Sequence, residues 1–293
     1  MGVLCEEDEH PKKLWLPRSE KQLHMSTQEI QVDNFCRRLV DVLNKVTPQN
    51  MDTLLDKISE LNFQTEFSIN KLSQHIVEKA ESEPLYNEIY AEMCCTLNQV
   101  VDRSISSADS IDHSIPLGLF KSLVIKETHL TFDEIFRVES YGGCENTMND
   151  SQLRTHRRKL FSVVEFLGQL YNVEFLEYNS LVRIINRLLS EQTKSSLEFQ
   201  VECLCKLLRV VGSTMESITR RDIMDHCFEQ MQRLQAENEF CARVRFCMEE
   251  LFELRNNNWV GRKPLDVPVR VDELRNSFVE QTSTPRRRRT QKN

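Results

Sequence analysis

An all-α, superhelical stack of about five antiparallel helical hairpins is the fold this 293-residue chain predicts. Three observations carry that prediction. Only seven glycines and eight prolines are present, mainly between stretches of helical periodicity, which argues against a turn-rich β architecture. Apolar residues recur at helical spacing through one segment after another from Gln28 to Leu254. Paired segments return about every 40 residues, as stacked hairpins do. No strict repeat motif accompanies the period, so the prediction rests on spacing and length.

Residues 1–27 are polar, with little periodicity, and read as an extended arm. Leu14-Trp15-Leu16-Pro17 interrupts it as a short apolar plug, and Trp15 either docks on its own domain or anchors a partner. Ile30, Phe35, Leu39, Val42, Leu43 and Val46 mark the first helix. Thr47-Pro48 then supplies an N-cap and a first helical position for a short return helix through Met51, Leu54, Leu55, Ile58 and Leu61. The third helix carries Phe67, Ile69, Leu72, Ile76 and Ala80. Ser82-Glu83-Pro84 opens the fourth, with Leu85, Ile89, Met93 and Leu97 as core positions.

The pattern weakens between Asp102 and Ser151. One helix reads through Leu117, Phe120, Leu123 and Val124 and another through Phe132, Ile135 and Phe136, before a loop over Tyr141–Asp150. Periodicity resumes at Leu160, Val164, Leu167 and Leu170, then at Leu181, Ile184, Ile185, Leu188 and Leu189. It runs on through Val201 to Val211, and through Ile223, Cys227, Met231 and Leu234.

The last helix places Phe240, Val244, Cys247, Leu251 and Leu254 within about 40° of one line. Asn256 to Asn258 then predicts its stop, because asparagine tolerates the left-handed conformation that ends helices. Phe246 falls roughly 120° off the stripe, among Arg243, Glu250 and Glu253. The helix's own core does not account for a ring in that sector. Phe252 is also off the stripe, but beside Met248, where a second packing neighbour accounts for it. The expected organisation is an arm over 1–27, a helical domain over 28–263 and an extension over 264–293.

Composition removes several classes of function. No apolar run reaches the roughly 18 residues of a membrane span, and no signal-peptide pattern is present. Met1-Gly2 is followed by Glu6 where lipidation requires Ser or Thr. The ten cysteines lack framework spacing and suit a reducing compartment. On a helix Cys203 and Cys205 point about 200° apart, and Cys94 and Cys95 about 100° apart, so neither pair clamps a metal. There is no phosphate-cradling glycine loop, nucleophile elbow or His-Glu-x-x-His. The expectation is therefore a chain that is not an enzyme and that uses no cofactor or metal.

The net charge of −7 hides an asymmetry. Arg286, Arg287, Arg288, Arg289 and Lys292 crowd the last ten residues without an acid, leaving −12 on the rest. The tail fits a nuclear-import signal, an RNA-binding arm or a solvated terminus. A second basic cluster, Arg154, Arg157, Arg158 and Lys159, lies near a helix start, where cations oppose the helix dipole and an anionic partner would compensate.

Three runs carry a resemblance. Phe35 to Gln49 (FCRRLVDVLNKVTPQ), Val77 to Cys94 (VEKAESEP…YAEMC), and Arg243 to Arg262 (RVRFCMEELFELR…NWVGR) resemble the middle domain of eukaryotic translation initiation factor 4 gamma. Glu202 to Leu208 (ECLCKLL) adds a fourth. Gly261 departs from the family, which usually has proline there. The resemblance implies a HEAT-like solenoid that grips the two lobes of a DEAD-box RNA helicase, initiation factor 4A. It carries that role to Trp15, Asn44, Lys45, Thr47 and Pro48 at one end, and to Arg243, Phe246 and Trp259 at the other. It further implies contact with mRNA through Arg154, Arg157, Arg158 and Lys159, and the charge of the Arg286, Arg287, Arg288 and Arg289 tail makes it a second RNA-binding candidate. The chain is then expected to be a cytoplasmic monomer within a larger initiation complex, with nuclear entry open to it through the tail. A cap-binding-protein motif is missing; Tyr171 comes closest, with Leu176 in place but Glu177 following. A second reading, from a different class, is an RNA-binding module of nuclear mRNA processing or a competing translational regulator without helicase activation.

Overall fold

The computed structural model describes residues 27–261, apart from 48, 62, 64, 107–114, 141–149, 191–193 and 218–220. Among the described residues are ten α-helices and a 3-10 turn at Pro84–Tyr86. The helices are α1 (Thr27–Leu43), α2 (Met51–Ser59), α3 (Glu66–Ser82), α4 (Asn87–Ser106), α5 (Leu119–Ser140), α6 (Asp150–Asn172), α7 (Tyr178–Leu189), α8 (Lys194–Ser217), α9 (Arg221–Glu237) and α10 (Ala242–Asn256). Successive pairs form five hairpins. The even-numbered helices make one layer, each packed on the next from α2 to α10. In the other layer α1, α3 and α5 follow one another, and α7 packs on α9.

The period glimpsed in the sequence reappears as ion pairs. Lys206 of α8 donates to Glu165 of α6 at 3.1 Å, and Arg243 of α10 to Glu202 of α8 at 2.6 Å. Each pair spans 41 residues, as does Arg209 of α8 with Glu250 of α10 at 2.5 Å. A constant offset at three rungs means that α6, α8 and α10 run parallel in a common register. At Gly168 the α6 backbone comes so close to α8 that a Cβ would sit 2.9 Å from the Val210 side chain. Where the odd layer changes neighbours, Arg187 of α7 covers the Phe132 and Phe136 rings of α5 and pairs with Asp133.

One continuous apolar core runs through all five hairpins. It contains a buried polar knot: Asn87 of α4 donates to the Ser162 carbonyl of α6 at 2.9 Å, and the Ser162 hydroxyl donates to the Ala80 carbonyl of α3. The second and third hairpins thereby share buried hydrogen bonds, which specify their mutual placement.

Several expectations need correction. Thr47-Pro48 does not cap the second helix, which begins at Met51 behind Asn50. The Asn50 side chain instead accepts from the Thr47 N–H at 2.8 Å and donates to the Lys45 carbonyl at 2.6 Å, closing the connecting turn. The two helices read between Leu117 and Phe136 are the single helix α5. Their apparent polar gap holds Thr128 and Thr131, whose hydroxyls bond the carbonyls of Val124 and Glu127 within the helix. Phe67 and Leu85, at the starts of their elements, and Leu117, in the turn before α5, are exposed rather than core. In α10 the residues fully sealed in the core are Val244, Met248 and Leu251, with Cys247 and Leu254 only half-buried. The loop read over Tyr141–Asp150 lies outside the described residues up to 149.

Candidate partner-binding surface

Helix α10 is held onto α8 by polar contacts at both of its ends. At its start Cys241 has an extended backbone and no side-chain cap, and its N–H donates to the Glu198 carboxylate of α8 at 2.6 Å. Arg243–Glu202 and Arg209–Glu250 then tie its first and third turns to α8. With Val244, Met248 and Leu251 facing the core, the opposite face carries Arg243, Phe246 and Glu250. The Phe246 side chain stands 66% exposed. It is the one large ring that α10 turns to solvent, since Phe252 packs on Phe228 at 5.7 Å, the second neighbour its position called for.

Around Phe246 the charges are matched. Glu202 is buried while its partner Arg243 remains largely exposed. Burial pushes the Glu202 carboxyl above its ordinary value, against the pull of Arg243, Lys206 and Arg157. Lys206 also lies over the Phe161 ring and Arg157 over the Phe199 ring, at 5.5 and 5.3 Å, and those rings are themselves 5.3 Å apart. The face of α6, α8 and α10 thus carries cross-helix ion pairs beside a projecting aromatic. Such a surface suits an apolar recess on a protein more than a polyanion.

Trp259 does something different. α10 ends in a Schellman motif: the Trp259 N–H donates to the Leu254 carbonyl at 2.8 Å and the Asn258 N–H to the Arg255 carbonyl at 3.0 Å. Asn258 takes the left-handed conformation that the Asn256–Asn258 run predicts, with φ 53°. Trp259 follows at φ 63° and turns its ring back over α8. A Cβ on Gly212 would lie 2.0 Å from that ring, and the indole N–H donates to Glu216 at 2.6 Å. Phe228 meets the ring edge-on at 6.3 Å. Arg255 shares Glu216, reaches Asp225, and covers Phe228 at 4.3 Å. Desolvation opposes the Arg255 charge, but these carboxylates outweigh it and raise its pKa. The structure therefore separates Trp259 from Arg243 and Phe246, which the sequence had grouped.

At the other end of the stack, Asn44 and Lys45 are exposed on the turn after α1 and Thr47 is half-buried. Pro48, Trp15 and Arg286 to Arg289 lie outside the described residues. The α6 cluster divides. Arg154 and Arg158 are exposed, Arg157 covers Phe199, and Lys159 bonds Glu81 of α3 at 2.6 Å. Burial pushes the thiol of Cys205 up to about 12 and that of Cys227 to about 11, which keeps both protonated and inert at neutral pH. Cys203 and Cys205 are both buried although they point apart, because α8 is packed on several sides. Of the two residues that hold α10 in place, Glu202 opens the ECLCKLL run, whereas Glu198 carried no sequence signal.

Stacked hairpins and a common register between parallel helices define a helical-repeat domain. The chain belongs to the MIF4G domain family, whose pattern matches residues 36–258. It is 26% identical over 292 residues to mouse eukaryotic translation initiation factor 4 gamma 3, covering 93% of this chain and 18% of that protein. It is 27% identical over 258 residues to Arabidopsis thaliana eukaryotic translation initiation factor 4G, covering 85% and 14%. Human eukaryotic translation initiation factor 4 gamma 2 is 26% identical over 258 residues, covering 85% and 28%. The chain thus spans well under a third of these relatives. Its fold is similar to the MIF4G domain of Trypanosoma cruzi translation initiation factor EIF4G5, with a TM-score of 0.52, 15% identity, and 77% and 97% of the two chains covered.

Proposed function

We propose that this chain is a non-enzymatic scaffold of translation initiation that binds and stimulates the DEAD-box helicase initiation factor 4A and contacts mRNA. The observation that carries the reading is Phe246, an exposed ring on a helix that α8 holds in place. Desolvating that ring in a partner's recess is where a hot spot would gain its energy. The turn at Asn44, Lys45, Thr47 and Pro48 supplies the second grip, so one rigid stack holds both lobes of the helicase at a fixed separation. Trp259 supports the grip indirectly, by closing the hairpin that presents Phe246. The chain works in the cytoplasm, as a monomer within a larger complex. Co-purification of initiation factor 4A on the immobilised chain tests the reading: specific retention is expected, and its absence with correctly folded protein removes it.

The mRNA contact rests on Arg154 and Arg158 and on the arginine tail. If the tail's five cations all meet single-stranded RNA phosphates, deleting residues 286–293 should flatten the salt dependence of RNA affinity by about 3.5 log units per decade. An unchanged slope would leave the tail as an address signal or spacer.

A further inference from the structure

α10 opens without the local devices that usually fix a helix start. Its N-cap, Cys241, makes no side-chain cap. In a capping box the third helical residue is Glu or Gln, which reaches back to the N-cap N–H. Here that residue is Val244, sealed in the core. A hydrophobic staple would pair the residue before the cap with the fourth helical residue. Phe240 is buried in the first of those places, but Arg245 stands exposed in the second.

The missing carboxylate comes from the neighbouring helix. Glu198 of α8 accepts from the Cys241 N–H at 2.6 Å, as the capping-box Glu would. The Cys241 carbonyl in turn accepts from the Arg245 N–H at 3.1 Å, the bond that opens the α10 ladder. One exposed residue, set between buried Phe240 and buried Val244, thus joins α8 to the start of α10. Glu202, one turn on from Glu198, holds Arg243 at 2.6 Å. Phe246 lies just beyond and is largely exposed, so its direction follows that of the helix carrying it. We infer that Glu198 is a positioning residue: it completes the α10 cap from α8 and so sets the direction in which Phe246 meets initiation factor 4A. The consequence for binding rests on the helicase reading, whereas the cap concerns the free chain alone.

Glu198→Ala in the full chain tests both parts, beside Glu198→Gln, which keeps an accepting oxygen. In the free chain, hydrogen exchange of the Arg245 and Phe246 amides should speed up about fivefold in Glu198→Ala, with the α9 amides unchanged. Glu198→Gln should stay near the parent rate. Adding Cys241→Ser, which supplies a local side-chain cap, should restore slow exchange in the Glu198→Ala chain. Affinity for initiation factor 4A should follow the same order: about fivefold weaker in Glu198→Ala, and recovered in Glu198→Gln and in the double variant. Unchanged exchange in Glu198→Ala would overturn the cap, and faster exchange with parental affinity would overturn the positioning. So would a loss of affinity that neither Glu198→Gln nor Cys241→Ser repairs. A parent chain that does not bind the helicase would retire the helicase reading instead, and the exchange rates would still decide the cap.

Discussion

Trp259→Ala is expected to lower the stability of the last hairpin by about 3 kcal/mol. The ring is half-buried, so the lower part of the range for a large aromatic applies, and the bond to Glu216 is lost with it. The backbone adds its own signature. A tryptophan at φ 63° pays for an unfavourable conformation that only its packing sustains. Gly212→Ala attacks the same contact from the α8 side, because its Cβ would occupy ring space, and should cost about 2 kcal/mol. Combined, the two changes should cost clearly less than their sum, since the first removes what the second collides with. Urea denaturation followed by hydrogen exchange over α9 and α10 reads all three variants. A neutral Trp259→Ala would return this residue to the partner surface.

Phe246→Ala should leave stability within about 0.5 kcal/mol, because an exposed side chain is removed. Its cost appears on binding: about 2 kcal/mol, or roughly 30-fold weaker affinity for initiation factor 4A. That opposition between two residues of one short segment is what the structure adds. Fluorescence anisotropy with labelled helicase measures the affinity, and a melt measures the fold. Unchanged affinity would make Phe246 an ordinary exposed ring.

The helical period, the paired hairpins and the outward Phe246 were legible in the sequence because they depend on residues three to seven apart. The stop at Asn256–Asn258 was legible for the same reason. What failed depends on distant partners. Lys159 reads as a free cation until Glu81 meets it from α3, and Arg157 until Phe199 lies beneath it. Trp259 and Phe246 are two aromatic rings of one short segment, and the bare backbone of Gly212, a distant partner, is what receives the Trp259 ring. The end of α6 was hidden for a local reason. Glu174 takes the left-handed position at φ 59°, where a glycine or asparagine would have announced the stop. The opening of α2 misled because Thr47-Pro48 is a good cap in isolation, whereas the Asn50 amide organises that turn.

The central claim is that a rigid stack gripping at Asn44 to Pro48 and at Phe246 holds a helicase in a productive arrangement. The most direct measurement is the ATPase rate of initiation factor 4A with saturating chain, with and without RNA. The account predicts a higher rate with RNA present, lost in Phe246→Ala when the chain is held at subsaturating concentration. A chain that binds the helicase and leaves its rate unchanged, or lowers it, would contradict it.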